Sequence, residues 1–321
     1  MAFTNFPNGV SSFGIPLLGN GIPATKGRVY WVDYGVGSDG NKGLSPDKPF
    51  KTIAKAYSMV TSNNDDVIAL IGSSTHVLTE MLDVTKNRVH FIGVDGTQRF
   101  YGQNAKVSLG VTTAATDIAT IQNTGVRNSF SNIKFLNSNT VAEGIYCVAE
   151  GGEYTVYDHC EIYKDTDLDV TGAAEMLHNG DSVQMINCTI GSLANIVADN
   201  VIRPCVLVTA TLSGKKFRDG YFQNCMFWRK AGGTETMMIY GANASDVERL
   251  LLAKNCTFVN NILSAADPAH AVGFGAAQDQ GTVLLQDCTA VGCTIMAQAA
   301  VGIFVSGAVP TFATTGVSVA A

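Results

Sequence analysis

The chain reads as an all-β solenoid, a parallel β-helix, and three features of the sequence lead there. Of its 321 residues, 15% are charged, 46% are hydrophobic and 33 are glycine, a balance that suits strands and turns rather than helical bundles. A four-residue motif returns six times, as NIKF (132–135), HCEI (159–162), NCTI (187–190), NCMF (224–227), NCTF (255–258) and DCTA (287–290). Its second positions, Ile133, Cys160, Cys188, Cys225, Cys256 and Cys288, are 27, 28, 37, 31 and 32 residues apart. Repeats at such intervals mark a solenoid or a similar array.

In chain order, residues 1–27 form an extended arm. The first 25 carry no charge, and Phe3, Phe6 and Phe13 lie among prolines and glycines. Aromatic stretches of this kind gain by burial against another surface, so Phe3, Asn5, Phe6, Pro7 and Phe13 are the expected docking residues. The arm lacks the basic start and unbroken apolar run of a secretory signal. The apolar stretch 295–309 spans 15 residues, short of a membrane crossing. A net charge of −6 supplies neither the basic footprint of a nucleic-acid binder nor a polybasic membrane patch. The expectation is a protein made in the cytoplasm without export, with no nucleic-acid or membrane partner.

Residues 28–62 supply a leading strand and a capping helix. Pro49 is expected to start the helix, with Phe50, Ile53, Ala54, Tyr57 and Val60 on one face. Such a helix covers the first coil, whose open edge would otherwise invite other strands. Coils fill 63–305, beginning with DVIALIGS (66–73) and NRVHFIGV (87–94), where Val67 and Val89 lie 22 residues apart. Each later motif follows an apolar run and a turn, as in GIYCV before YTVYDHCEI or TMMIYGA before RLLLAKNCTF. Each coil therefore holds two or three short strands joined by Gly, Asn or Asp turns. Residues 306–321 form the end segment.

Parallel strands stack about 4.8 Å apart, so equivalent inward positions become columns. Three roles compete for the cysteines. Zinc needs closely spaced pairs, and the nearest pair, Cys288 and Cys293, has no neighbouring histidine. A disulfide framework belongs to small exported domains. A structural ladder accounts for Cys160, Cys188, Cys225, Cys256 and Cys288 together, because cysteine packs as a small hydrophobe. The polar residue before each cysteine should stack at a bend, its side chain bonded along the ladder.

The segment VYWVDYGVGSDGNKGLSPDKPFKTIAKAYSMV (29–60) resembles the leading segment of right-handed parallel β-helix proteins of the pectate-lyase-like superfamily. The matching positions are Asp33, Gly37, Ser38, Asp39, Asn41, Gly43, Leu44, Ser45, Pro46, Pro49, Phe50, Thr52, Ile53 and Ala56. That superfamily spans lyases, hydrolases, epimerases and non-enzymatic virion proteins. The opening NFPNGVSSFG, with PLLG and GIPAT after it, is similar to bacteriophage virion proteins, head-decoration proteins in particular. The resemblance implies a non-enzymatic capsid decoration protein in the virion, without cofactor. It would dock on the major capsid protein through the arm, as a homotrimer, with a surface glycan as a further partner. The alternative is a tail-associated spike that binds a receptor or cleaves a polysaccharide.

Sites of chemistry are sparse. The G-H-G and R-x-K strings of polygalacturonase-like members do not occur. The oxygen-rich run around Asp33, Asp39 and Asn41 could hold calcium but lacks EF-hand spacing, and tight turns use the same residues. Asp65 and Asp66 precede the first coil without a matching partner coil. Arg229 and Lys230 beside a turn read as solvated. Asp165, Asp167 and Asp169 alternate, and read as a cation strip or, more commonly, as a polar surface loop. The five histidines, His76, His90, His159, His178 and His270, fall on different coils, and HNGDS (178–182) reads as a turn rather than a triad.

Overall fold

The computed structural model describes residues 27–94, 101–110, 116, 118–138, 145–164, 172–192, 202–209, 216–231, 237–243, 245–261, 270–276, 280–299 and 302–306. It also describes the short strands Ser11–Ser12, Ile15–Pro16 and Val317–Val319. The fold is an all-β parallel β-helix of three sheets with one short helix among the described residues. From Asp66 onward each coil gives one strand to each sheet in turn. The first coil contributes Asp66–Ile71, His76–Leu78 and Leu82–Val84. The sixth contributes Gly220–Gln223, Met226–Arg229 and Ile239–Gly241. Among the described residues the second and third sheets hold eight strands each and the first holds eleven, so eight complete coils stack there. The leading strand Val29–Val32 extends the first sheet at one end. Ile303–Ser306 and the antiparallel Val317–Val319 extend it at the other.

Strand alternation turns the repeat into columns. Along the first sheet Tyr30, Ile68, Phe91, Phe130, Tyr157, Met185, Phe222, Ala253 and Leu285 share one register, and all are buried. Phe91, Phe130 and Tyr157 stack face to face at 5.0 and 4.8 Å, a geometry contributing about 0.5–1.5 kcal/mol per pair beyond burial. The second sheet carries Val107, Phe135, Ile162, Ile190, Phe227 and Phe258 in register. The third carries Ile121, Val148, Met176, Val206, Ile239, Val272 and Ala297. The 37-residue interval between Cys188 and Cys225 keeps the same strand order, because its extra residues lie between strands.

The corner from the first sheet to the second explains the recurring motif. Asn132, His159, Asn187, Asn224, Asn255 and Asp287 all have φ between 52° and 56°. That left-handed conformation costs most L-residues about 1–2 kcal/mol, and Asn and Asp tolerate it best. Each N–H here still reaches the next coil, as in Asn187 to Gln223 O and Asn224 to Lys254 O. Side-chain bonding is only partial: Asn224 Nδ2 donates to Asn187 Oδ1 at 3.2 Å, and Asn187 Nδ2 to Asp158 Oδ1 at 3.4 Å. Backbone conformation rather than a continuous amide ladder thus selects the residue. The thiol that follows sits between two carbonyls. Cys225 Sγ lies 3.3 Å from Met185 O and 3.4 Å from Gln223 O, and Cys256 and Cys288 repeat the arrangement.

The leading segment differs from expectation in two details. The helix is Ile53–Met59, capped by Thr52 Oγ1, which accepts from Lys55 N. Phe50 stays extended because it bridges Val32, its N–H donating to Trp31 O, so the helix starts after Pro49. It buries Ile53 and Ala56, while Ala54 is exposed. Val67 pairs with His90, and Val89 pairs with Asp66, one residue from the 22-residue spacing. That shift places Ile68 over Phe91 in the core column.

Candidate functional site

The inward face carries the most unusual side chains. Arg229 follows Cys225 and Phe227 in the inward phase of its strand, and its guanidinium forms a two-pronged pair with Glu175 at 2.6 and 2.5 Å. The two side chains are 2% and 1% exposed. Arg229 is therefore not solvated as expected, because alternation drives it inward; Lys230, its neighbour, is half-buried. Burial raises the Glu175 carboxyl, and the Arg229 charge and hydrogen bond offset part of that rise. Glu175 belongs to a buried series with Cys147, Cys205, Met238 and Ala271, each preceding a paired residue of the third sheet. Burial pushes the Cys205 thiol up to about 12 and holds Cys160 and Cys225 well above the usual thiol range.

A second buried group lies where the third sheet turns back to the first. Glu150 accepts from Asn123 Nδ2 at 3.0 and 2.9 Å, from Gly152 N at 2.6 Å and from Tyr157 Oη at 2.6 Å. Burial outweighs these donors and pushes its pKa up to about 7 from 4.5. His178, its register partner, accepts from Gly180 N at 3.2 Å and packs edge-on to Phe217 at 4.6 Å. Burial depresses its pKa to about 3. The two act on stability with opposite sign. The raised Glu150 contribution is complete below the unfolded value near 4.5 and is lost as pH rises toward 7. The His178 contribution is complete above 6.5 and is lost as pH falls toward 3. Glu150→Gln is expected to remove a loss on the order of 3 kcal/mol between about pH 4.5 and about pH 8. Urea melts of both proteins across that range check it, and parallel pH profiles would refute it.

The outward face of the second sheet presents aromatic side chains. Trp228 lies two strands from Tyr163, across Thr189–Gly191, a separation of roughly 10 Å at sheet spacing. Tyr101, 59% exposed, meets the Trp228 ring at 5.7 Å. Lys134 Nζ lies 4.6 Å over the Tyr163 ring and donates to Glu161 Oε1 at 2.8 Å. Glu161 Oε2 accepts from Gly102 N at 2.8 Å. Burial would lower the Lys134 pKa, but Glu161 and Tyr163 together raise it, which favours its charged form. Part-exposed rings beside a charged pair suit stacking against a polar ring such as a sugar.

The docking residues Phe3, Asn5, Phe6, Pro7 and Phe13 lie outside the described residues, as do Asp165, Asp167 and Asp169. Cys160, Cys188, Cys225 and Cys256 are buried and Cys288 is half-buried. The carboxylates of the leading segment cap backbone donors. Asp33 Oδ1 accepts from Gly35 N, Val36 N and Ser73 Oγ, and Asp39 accepts from Lys51 N, Thr52 N and Thr52 Oγ1. Asp66 accepts from Arg28 N, Thr61 N and Asn64 Nδ2, and Asp65 pairs with Arg88. Among the described residues no group of three or more His, Cys, Asp or Glu is arranged to hold a metal ion. His178 ends a strand and is buried, while Asp181 bridges Glu153 and Arg218, so HNGDS is not a simple turn.

No family model matches the sequence, and no curated protein is similar to it. Solved structures do share the fold. A pectate lyase superposes with a TM-score of 0.57 at 12% identity, covering 82% of this chain and 63% of that one. A pectin methylesterase mutant in complex with a hexasaccharide gives 0.54 at 12% identity, covering 82% and 79%. A pectin methylesterase from carrot gives 0.50 at 15% identity, covering 89% and 90%. The chain is thus a right-handed parallel β-helix of the pectate-lyase and pectin-methylesterase type, and the likeness extends to the fold alone. It spans less than two thirds of the pectate lyase's length.

Proposed function

We propose that the protein is a non-enzymatic structural component of a bacteriophage particle, a capsid decoration protein that docks on the major capsid protein through residues 1–27. The observation that carries this reading is the structural use of the acidic and basic groups. Glu175 and Arg229 bind each other inside the core, Glu150 is held by Asn123, Gly152 and Tyr157, and Asp33, Asp39 and Asp66 cap backbone N–H groups. Coils joined this way give a stiff rod whose stability is a sum of neighbour contacts. The deciding measurement is the copy number of the protein in purified particles, by quantitative mass spectrometry against the major shell protein. A number commensurate with the shell lattice supports decoration, and replacing Phe3, Phe6 and Phe13 with Ala should then abolish particle binding. Absence from particles would overturn the reading.

The outer aromatic face favours a second reading, a tail component that binds a glycan. A handful of copies per particle would point there. Trp228→Ala should then lose binding to host polysaccharide while keeping its circular dichroism spectrum.

A further inference from the structure

The corner between the first and second sheets takes one or two residues in the third to eighth coils. In the second coil it runs from residue 95 to residue 104, between Val89–Val94 and Ala105–Leu109. The end of that long connection, Tyr101–Gln103, does not stay on its own coil. Gly102 N donates to Glu161 Oε2 at 2.8 Å and Gln103 Nε2 donates to His159 O at 2.6 Å, both on the fourth coil. The Tyr101 ring meets Trp228, on the sixth coil, at 5.7 Å. From Ala105–Leu109 to the Trp228 strand is four strand spacings, ~19 Å. A solenoid's coils ordinarily contact only their neighbours, and this segment joins three that do not adjoin.

Glu161 is the fixed point of the arrangement. Its other oxygen, Oε1, accepts from Lys134 Nζ at 2.8 Å. A carboxylate that accepts from a backbone N–H makes a charge-assisted bond, stronger than a neutral one. Gly102 has φ 78°, and a Cβ there would meet nothing within 4 Å, so the glycine serves the turn of the backbone rather than a close approach. Gln103 is 1% exposed while Tyr101 is 59% exposed: the anchored end is buried and the ring at the other end faces solvent. We propose that Tyr101–Gln103 is a strap latched on the fourth coil, with Glu161 as its catch, and that it holds the Tyr101 ring over Trp228. The strap couples the second, fourth and sixth coils directly, and it sets how much of the half-buried Trp228 ring a small molecule can reach. Glu161 acts on Trp228 through the strap, since Thr189–Gly191 separates their strands. The latch needs no ligand, so it stands whether or not this face binds a glycan.

The test reads Trp228 alone. The chain has two tryptophans, Trp31 and Trp228, and Trp31→Phe leaves one. In that background Glu161→Ala should raise the acrylamide quenching of Trp228, as should Tyr101→Ala. The two changes together should give no more than Tyr101→Ala alone, because both act through one strap. Exchange of the Gly102 amide should quicken roughly tenfold or more in Glu161→Ala. Gln103→Ala leaves the Lys134–Glu161 pair in place and should move both readouts in the same direction, which decides the matter if losing Glu161 unfolds the coils. Unchanged quenching in the folded Glu161→Ala or Gln103→Ala protein, effects that sum in the double variant, or a wild-type Gly102 amide that exchanges as fast as an unbonded one would each overturn the proposal.

Discussion

Arg229→Met is expected to destabilise the coils by about 3–5 kcal/mol, because it leaves the Glu175 carboxyl buried without its partner. Lys164 also lies close enough for its charge to act on Glu175, which favours the lower half of that range. Replacing both residues with Met should recover most of the loss, since an apolar pair of similar volume often equals or exceeds a buried ion pair. Solenoids can lose cooperativity along their length, so the measurement is urea unfolding combined with hydrogen exchange of the flanking strands, Thr189–Gly191 and Met176–His178. A double variant as unstable as Arg229→Met alone would show that the loss does not come from a Glu175 carboxyl left buried without its partner.

Phe130→Ala should cost about 3–5 kcal/mol, the range for removing a buried aromatic ring. Phe130 is fully buried, stacks with Phe91 on one side and Tyr157 on the other, and meets Phe135 edge-on at 5.9 Å. Every neighbour is held by its own coil, so the cavity has little room to collapse. Phe258→Ala should cost less. Among the described residues its ring stacks on Phe227 alone, and its register partner in the last described coil is the half-buried Ala290. Equal losses at the two positions would contradict the idea that confinement by both neighbouring coils sets the cost.

Much of this architecture was legible in the residues. The intervals between Ile133 and Cys288 announce the coil, and the Ile or Phe two places after the first five of the six motif positions marks the inward phase. The same phase also pointed to Arg229, two residues beyond Phe227, but adjacent basic residues at a turn suggested solvent. Nothing local to Glu175, in the run AAEML, shows that it shares a buried series with Cys147 and Cys205 two coils apart. The pairing of Tyr101 with Trp228 is equally hidden, because the two are joined only through the stack.

The solenoid, the all-β class and the capping helix are written locally in the chain, because periodic apolar residues and turn formers act over a few residues and repeat. The stacked coils hold the motif's Asn, His or Asp in the left-handed region, bring Arg229 and Glu175 together inside, and carry the first sheet past the other two among the described residues. Those features depend on which residues become neighbours between coils, roughly 5 Å apart in space and about thirty apart in the chain. Register, set jointly by all the coils, makes that choice, and no single segment encodes it.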